Sequence, residues 1–568
     1  MHGSFLLNRW KNRNWPAVIE RVVFSLAAAF ILCIPFYNGT MVNQPQKPQV
    51  LNRIEALAQA MTARQPLIGP MTQMNFGYGY GSTLFESNAA YLLPSFLRST
   101  GMPLQRCLKV QLFVIFACML YTSFGMASTV LKKDRITNWV TALLCASSPA
   151  VYTMLFNRSM LEDGCALVFV PSVISTLSML SASKGKGWLK LAAEISLAFL
   201  FSPFYGAVLI GLSLLYCLLH FRSVISDKTD WIGAGLTVLL IGSLIICTEI
   251  PYRFLLSQGN WRVEGVRALL SRGVGLHDLL DVIPFSFDHM ASTPGLVLLF
   301  LSWMVFRVRG KKRWKFVWEC TVMGYVLVFL STSMMPWSLF PLASFMKDPA
   351  RLLPIACVLL AAGSGFVLSS YPFDPENRPY IRRSIAGLSA VMILMMINTQ
   401  YHYAGEITGD YTQKQFSDDG IMMRNEDSLY NQSECGNGWY LPDSDYSWRS
   451  QKRRVRNNSS SLSFVETDGV MIADNAAEGT VVFPKIWYPG YRVVLVKDKD
   501  RIVSETEAEP GTGLVKAEIK SDVPVRVELR YETPAVFRTC RNASAAMWIL
   551  SVLISAGIRI VLKQRRKP

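Results

Sequence analysis

The sequence predicts a polytopic α-helical membrane protein of about 12 transmembrane helices, with a small β-sandwich domain held outside the bilayer. Three observations carry this. The 568 residues are 51% hydrophobic, with a mean hydropathy of +0.27 and repeated apolar runs of bilayer length. The formal charge of +17 is concentrated in short segments between those runs, as the positive-inside bias requires of cytoplasmic loops. Residues 398–543 break the pattern: they hold 22 acidic and 18 basic residues, a net of −4, which leaves +21 for the rest. A nucleic-acid-binding protein would carry its basic residues on one soluble face, so nucleic acid is not an expected partner.

Twelve apolar segments follow in order: 18–37, 104–128, 136–155, 163–182, 189–203, 204–221, 231–249, 294–308, 315–333, 351–370, 382–398 and 544–562. The first follows Arg9, Lys11 and Arg13 and has no small-residue cleavage site after it, so it reads as an anchor. Lys132, Lys133 and Arg135 follow the second segment, and Lys184, Lys186 and Lys190 follow the fourth. RVRGKKRWK follows the eighth, Arg378, Arg382 and Arg383 precede the eleventh, and KQRRKP ends the chain. With the N-terminus in the cytoplasm every one of these basic loops is also inside, and both termini are cytoplasmic. The segments 38–103, 155–162, 250–293, 334–350 and 399–543 then face out. The domains are 1–398, a transmembrane domain with outer loop 38–103; 399–543, an extracytoplasmic region; and 544–568, a final helix and basic tail.

The loop 38–103 organises the outer face. Val50, Ile54, Leu57, Ala58 and Met61 recur at helical spacing between Pro48 and Pro66, predicting an amphipathic helix along the membrane surface. Glycines and tyrosines alternate from Phe76 to Gly81. In the region 399–543, the stretch Arg456–Ser461 is polar and reads as loop. From about 462, alternating Val-rich runs (LSFVETDGVMI, GTVVFPKIWY, YRVVLVKD, GLVKAEIK, VPVRVELRY) predict short strands. Of the 11 cysteines, only Cys435 and Cys540 lie in the long polar region, where a disulfide between them is allowed.

Candidate chemistry comes from residues at the outer ends of the segments. Glu55 and Arg53 share the amphipathic helix. Glu162 and Asp163 sit at the mouth of the fourth segment, with Arg158 four residues before Glu162, a helical i, i+4 spacing. Arg351 opens the tenth segment after Lys347-Asp348-Pro349, where a guanidinium can snorkel to head groups or hold a phosphate bidentately. Pro336 and Trp337 would line the apolar side of that cleft. Tyr78, Tyr80, Tyr91, Trp487 and Tyr488 are candidates to stack on sugar rings or to anchor at the interface. His277, Asp278, Asp281, Asp288 and His289 share one outer loop and carry donors for a divalent ion, without a tight ligand motif. No Walker, dinucleotide-binding or GxSxG pattern is present.

Several motifs together resemble a known group. LNRIEALAQAMTARQP and GYGYGSTLFE in the first outer loop are followed by FNRSMLEDGCALVFVP at 156–171 and SMMPWSLFPLASFMKDPARLLPIACVLLAAGSG at 333–365. GNGWYLPDS at 436–444 and VVFPKIWYPGYRVVL at 481–495 complete the set. Their order and spacing resemble the YfhO-like bacterial membrane proteins, related to the GT-C glycosyltransferases. The resemblance implies a GT-C fold in the bacterial cytoplasmic membrane. It implies transfer of a sugar from a polyprenyl-phosphate donor to a cell-envelope polymer or lipid on the outer face, teichoic acids among the acceptors. It implies a carboxylate as base, with Glu55, Glu162 and Asp163 as candidates. Arg53, Tyr78, Tyr80, Arg158, Trp337 and Arg351 are the candidates for binding substrate. The chain departs from the group at one point. Gln46 and Val50 stand where an Asp and a His are usual, and Trp439 stands where a Glu precedes YLP. That departure supports a second reading, a non-catalytic relative that binds lipid-linked sugar or wall polymer. A secondary transporter is a third, weakened by spans almost free of charge and by the absence of two similar halves.

Overall fold

A computed structural model describes residues 15–37, 47–72, 77–131, 135–158, 160–182, 187–225, 227–259, 293–308, 314–339, 348–370, 452–497 and 500–564, with short pieces within 261–279 and 380–394. Its helices are α1 (Trp15–Leu32), α2 (Lys47–Thr62), α3 (Leu92–Ser99), α4 (Leu104–Val130), α5 (Arg135–Ala146) and α6 (Leu161–Ala182). They continue with α7 (Trp188–Phe201), α8 (Pro203–Leu219), α9 (Lys228–Gln258), α10 (Leu296–Arg307), α11 (Trp314–Leu330) and α12 (Leu353–Ser370). After the sheet domain comes α13 (Ala535–Gln564).

Local chemistry sets the boundaries. Ser202 ends α7, caps the first turn of α8 by accepting from the Tyr205 amide at 3.4 Å, and is followed by Pro203 at the first helical position. Asp227 and Asp230 form a reciprocal capping box at the start of α9. α4, α6, α9 and the segment Pro349–Ser370 are each long and apolar enough to cross a bilayer. α5 joins Pro149–Phe156 across a 47° bend, and the two together make a fifth candidate span. The other predicted spans fall on helices that are shorter or more polar, and 382–398 lies almost wholly outside the described residues. Among the described residues, length and hydropathy therefore support four spans, or five if the bent pair is one, and the expectation of twelve is finer than these helices establish.

α12 is the central post, with every residue from Leu353 to Ser370 buried. Glycines let its neighbours come close: a Cβ on Gly363 would collide with Thr321 of α11, and one on Gly365 with Thr141 of α5. α9 lies at the rim and leaves most of its apolar surface uncovered.

Among the described residues the sheet domain has nine antiparallel strands: β1 (Val455–Asn457), β2 (Ser460–Leu462), β3 (Phe464–Thr467), β4 (Val470–Ala476), β5 (Gly479–Ile486), β6 (Tyr491–Lys497), β7 (Asp500–Ala508), β8 (Leu514–Ile519) and β9 (Val525–Tyr531). Their order is β2-β1-β5-β8-β7-β6-β9-β4-β3. β7 pairs with β6 through its first half and with β8 through its second, so the two halves of the domain share it. β2 returns beside β4, which brings the two ends of the order together. The alternating burial of β6 (Val493 and Leu495 in, Arg492 out) is the predicted period of two.

Two boundaries differ from expectation. The stretch Arg456–Ser461 is not loop but a hairpin, β1–β2, turning at Asn458 in the left-handed region at φ 51°. Asn457 is buried there, accepting from the Ala477 amide at 2.8 Å and donating to the Ala477 carbonyl at 3.1 Å, which gives its polar side chain a strand environment. α13 begins at Ala535, ahead of the apolar run at 544.

α2 also departs from prediction. Its apolar face is buried as the period requires, but Asn52, Arg53 and Glu55 are buried as well. α3 and α4 pack on it, and the sheet domain closes over the chain that follows it. It is an internal strut, not a helix lying on a membrane surface.

Candidate functional site

The first outer loop, the ends of α6 and α12 and the sheet domain meet at one end of the helical bundle. Arg53 is the hub. It projects from α2, 7% exposed, with its guanidinium 4.3 Å from the centre of the Tyr91 ring. Its Nη1 donates to Glu86 at 2.8 Å and to Glu162 at 3.1 Å; its Nη2 donates to the Ser87 carbonyl at 3.0 Å and to Asn88 Oδ1 at 3.1 Å. Glu162, in the first turn of α6, is 25% exposed and also hydrogen-bonded to Tyr91. Burial, followed by the charge of Glu162, pushes the Tyr91 hydroxyl well above its ordinary pKa, with Arg53 opposing. Tyr91 is therefore a proton donor to Glu162 that keeps its own proton.

One residue further on, Asp163 is 2% exposed and faces Arg351. Arg351 binds it bidentately, Nε to Oδ2 and Nη2 to Oδ1, both at 2.7 Å. Ser202 donates to Asp163 Oδ1 at 2.7 Å, and the Arg351 guanidinium lies 4.4 Å from the centre of the Phe204 ring. Arg158 pairs with Asp348, whose other oxygen accepts from the Ala350 amide at 3.0 Å. Arg158 reaches that position because residues 153–157 are wound as a π-turn, closed by the Arg158 amide on the Thr153 carbonyl at 2.9 Å. The i, i+4 pairing of Arg158 with Glu162 does not form, since this turn separates Arg158 from α6. Glu86, Glu162, Asp163 and Asp348 thus face Arg53, Arg158 and Arg351, four carboxylates against three guanidiniums.

Glu55 points from a different side of α2. Arg98 of α3 donates to it at 2.6 Å and Gln59 at 3.1 Å. It lines a cavity of about 530 Å³ bounded by α2, the connection after it, the end of α3 and the β3–β4 hairpin.

The predicted aromatic and apolar contacts are used for packing. Tyr78 and Tyr80 are buried, and the Tyr78 carbonyl accepts from the Ile486 amide at 2.7 Å, so neither ring has a free face for a sugar. Tyr488 is fully buried, stacked on Trp261 at 5.7 Å. Trp337 is buried and donates to the Leu330 carbonyl at 3.0 Å. Val50 is buried in the core, while Gln46, Trp439 and Cys435 lie outside the described residues. Cys540 is on α13 beside Cys247 of α9 and is a free thiol. His277, Asp278, Asp281, Asp288 and His289 lie outside the described residues; among those described, no three His, Cys, Asp or Glu side chains are grouped to hold a metal ion.

Reasoning from sequence missed Glu86, Arg98, Ser202 and Asp348 as members of these clusters, and Lys485 altogether. Lys485 is 2% exposed. Its ammonium donates to the Gly77 carbonyl at 2.7 Å, the Thr72 carbonyl at 3.0 Å and Glu466, tying β5 to the first outer loop. Burial pulls its pKa down to about 8 against the pull of Glu466. Burial raises the pKa of Glu466, but Lys485 and Arg453 outweigh it and hold that carboxyl below its ordinary range. The one sign of Glu86 in the sequence was its being, with Glu55, one of two acids in residues 38–103.

No family model matches the chain, and no curated protein matches it. Among solved structures it is similar to arabinofuranosyltransferase AftD from Mycobacteria, at 14% identity and a TM-score of 0.44, over 66% of this chain and 27% of that one. It is also similar to ArnT from Cupriavidus metallidurans bound to undecaprenyl phosphate, at 12% identity and a TM-score of 0.38, over 68% of this chain and 75% of that one. Both likenesses are distant, and this chain spans about a quarter of the length of AftD.

Proposed function

We propose that this chain is a multi-pass glycosyltransferase-like protein of the GT-C type in the bacterial cytoplasmic membrane. In this reading it uses a polyprenyl-phosphate-linked sugar to modify a cell-envelope polymer or lipid on the outer face, with both termini cytoplasmic. The observation that carries the proposal is the run of carboxylates and guanidiniums at one end of the bundle, formed with the first outer loop on which the sheet domain packs. Such a transfer needs a carboxylate to take a proton from the acceptor hydroxyl and a cation for the departing phosphate. Glu162 is the carboxylate best suited to be the base, being more open than Glu55 or Asp163. The acceptor oxygen would attack the anomeric carbon as its proton passes to Glu162. The bond from that carbon to the phosphate oxygen breaks, and polyprenyl phosphate leaves beside Arg351 and Arg158. Arg53 and Tyr91 position Glu162, and Asp163 positions Arg351.

A second reading is favoured by one feature: Glu55, Glu162 and Asp163 are all already held by arginines. A protein that binds lipid-linked sugar without transferring it needs no free base. Mass spectrometry of cell-envelope glycans, with the protein and without it, separates the two. Transfer predicts a glycan modification that disappears with the protein and with the Glu162→Gln variant. An envelope unchanged by removal of the protein would rule transfer out.

A further inference from the structure

The cavity lined by Glu55 lies across α2 from the ion-pair run, and its walls come from distant parts of the chain. One wall is α2 from Glu55 to Thr62 with Ala63 just after it, another is the connection 65–72, and a third is the turn of the β3–β4 hairpin. That turn is built for close approach. Asp468 and Gly469 take φ 52° and 76°, and a Cβ on Gly469 would strike the Gln65 amide. Lys485 and Arg453 both hold Glu466, fixing β3 against the loop, so the wall is rigid.

The chemistry of the lining selects the ligand. Glu55, Glu466 and Asp468 supply carboxylate oxygens, and the one lining guanidinium, Arg98, is already on Glu55. Among the described residues no cation pairs with Asp468. Arg98 on Glu55, and Lys485 and Arg453 on Glu466, are already held by carboxylates, so a phosphate would find no lining cation among the described residues that is not engaged, and would meet the Asp468 carboxylate. Thr62, Thr72 and Gln65 add hydroxyl and amide groups, while the Thr83 hydroxyl is already bonded to the Gly69 amide and carbonyl, and Leu67 and Met71 add apolar surface. The volume of about 530 Å³ is that of an ordinary small-molecule site. Carboxylates, amides and hydroxyls beside a small apolar patch are what a neutral polyol requires.

We propose that this cavity binds an uncharged saccharide and is a separate site from the one that takes the lipid phosphate. α2 is then the partition, presenting Arg53 to the charged side and Glu55 to the saccharide side. In the transfer reading on which this rests, the cavity holds part of a glycan acceptor.

The test uses the full chain in lipid nanodiscs. Maltose, lactose and N,N′-diacetylchitobiose are the saccharide probes, with inorganic phosphate and undecaprenyl phosphate beside them. Hydrogen exchange is followed across residues 55–72 and 464–470, and affinities are measured by calorimetry. At least one disaccharide is expected to slow exchange in both segments, while inorganic phosphate does not. Ala63→Trp, which fills the cavity, is expected to weaken that disaccharide at least tenfold and to leave undecaprenyl phosphate binding unchanged. The inference is overturned if no disaccharide protects the two segments, or if Ala63→Trp and Ala60→Trp both bind it as the native chain does. Exchange on the unaltered chain decides the matter even where a tryptophan variant does not fold. Loss of undecaprenyl phosphate binding alone, with saccharide protection intact, would remove the transfer reading and leave this site standing.

Discussion

Asp163 and Arg351 give the most quantitative prediction. Asp163→Asn keeps the shape but turns an amide nitrogen toward the guanidinium, replacing part of a bidentate acceptor by a donor. Breaking a buried ion pair at one end costs about 3–5 kcal/mol. Arg351 keeps 18% exposure, its contact with Phe204 and the neighbouring Asp348. Those reduce the expected loss for Asp163→Asn to about 2–4 kcal/mol. Arg351→Gln is the harsher change, because Asp163 at 2% exposure is left with the Ser202 hydroxyl alone, and the full cost of about 3–5 kcal/mol applies. The double variant places two amides together and recovers part of the loss, so the coupling energy should be about 2–3 kcal/mol. Unfolding of the four proteins in mixed micelles with increasing denaturing detergent measures the cycle. Additive single effects, with coupling below about 0.5 kcal/mol, would refute the pairing and with it the idea that Asp163 positions Arg351.

Glu162→Gln should lower sugar transfer by about 10²–10⁴-fold if Glu162 is the base, with polyprenyl-phosphate affinity nearly unchanged; an in vitro transfer assay with a defined lipid-linked sugar reads both. Glu55→Gln, across α2, should cost transfer less than Glu162→Gln in the same assay. Gly81→Ala drives a methyl into the buried Tyr488 ring and should weaken docking of the sheet domain by about 1–3 kcal/mol, seen as about 5- to 150-fold faster exchange of the Ile486 amide. Lys485 has a folded pKa of about 8 against an ordinary 10.5, so between those values the unfolded chain binds more protons. Stability of the docked domain should therefore rise with pH across that window, by at most about 1.4 kcal/mol per unit, and Lys485→Met should abolish the slope. Glu466 has a dependence of the same sign in a more acidic window: its contribution is present above the ordinary carboxyl pKa and is lost as pH falls through its depressed value. Proteolysis of the linkers at a series of pH values checks both slopes.

Much of the fold was legible because it is periodic. Helical spacing placed Val50, Ile54, Leu57 and Ala58 on a buried face, and alternation located β6, β8 and β9. The pairings were not legible, because periodicity carries no information about distant partners. Arg53 meets Glu162 across 109 positions, Arg351 meets Asp163 across 188, and Lys485 meets Gly77 across 408. That is also why α2 looked amphipathic. Its polar face reads as solvated until Glu86, Arg98 and Glu162 are known to cover it. The β1–β2 hairpin escaped for a local reason: Asn457 and Asn458 look like loop residues, and only their bonds to Ala477, Glu478 and Thr480 make them part of a sheet.

The central claim is that the ends of α6 and α12 hold a polyprenyl phosphate, and photolabelling tests it most directly. A photoreactive polyprenyl phosphate, crosslinked to the purified chain in nanodiscs and mapped by peptide sequencing, should label segments around 153–163, 202–205 and 348–355. Undecaprenyl phosphate should compete it away, and Arg351→Ala should reduce the yield at least tenfold. Labelling spread along the exposed apolar surfaces of α9 and α13, unaffected by competitor or by Arg351→Ala, would contradict the account.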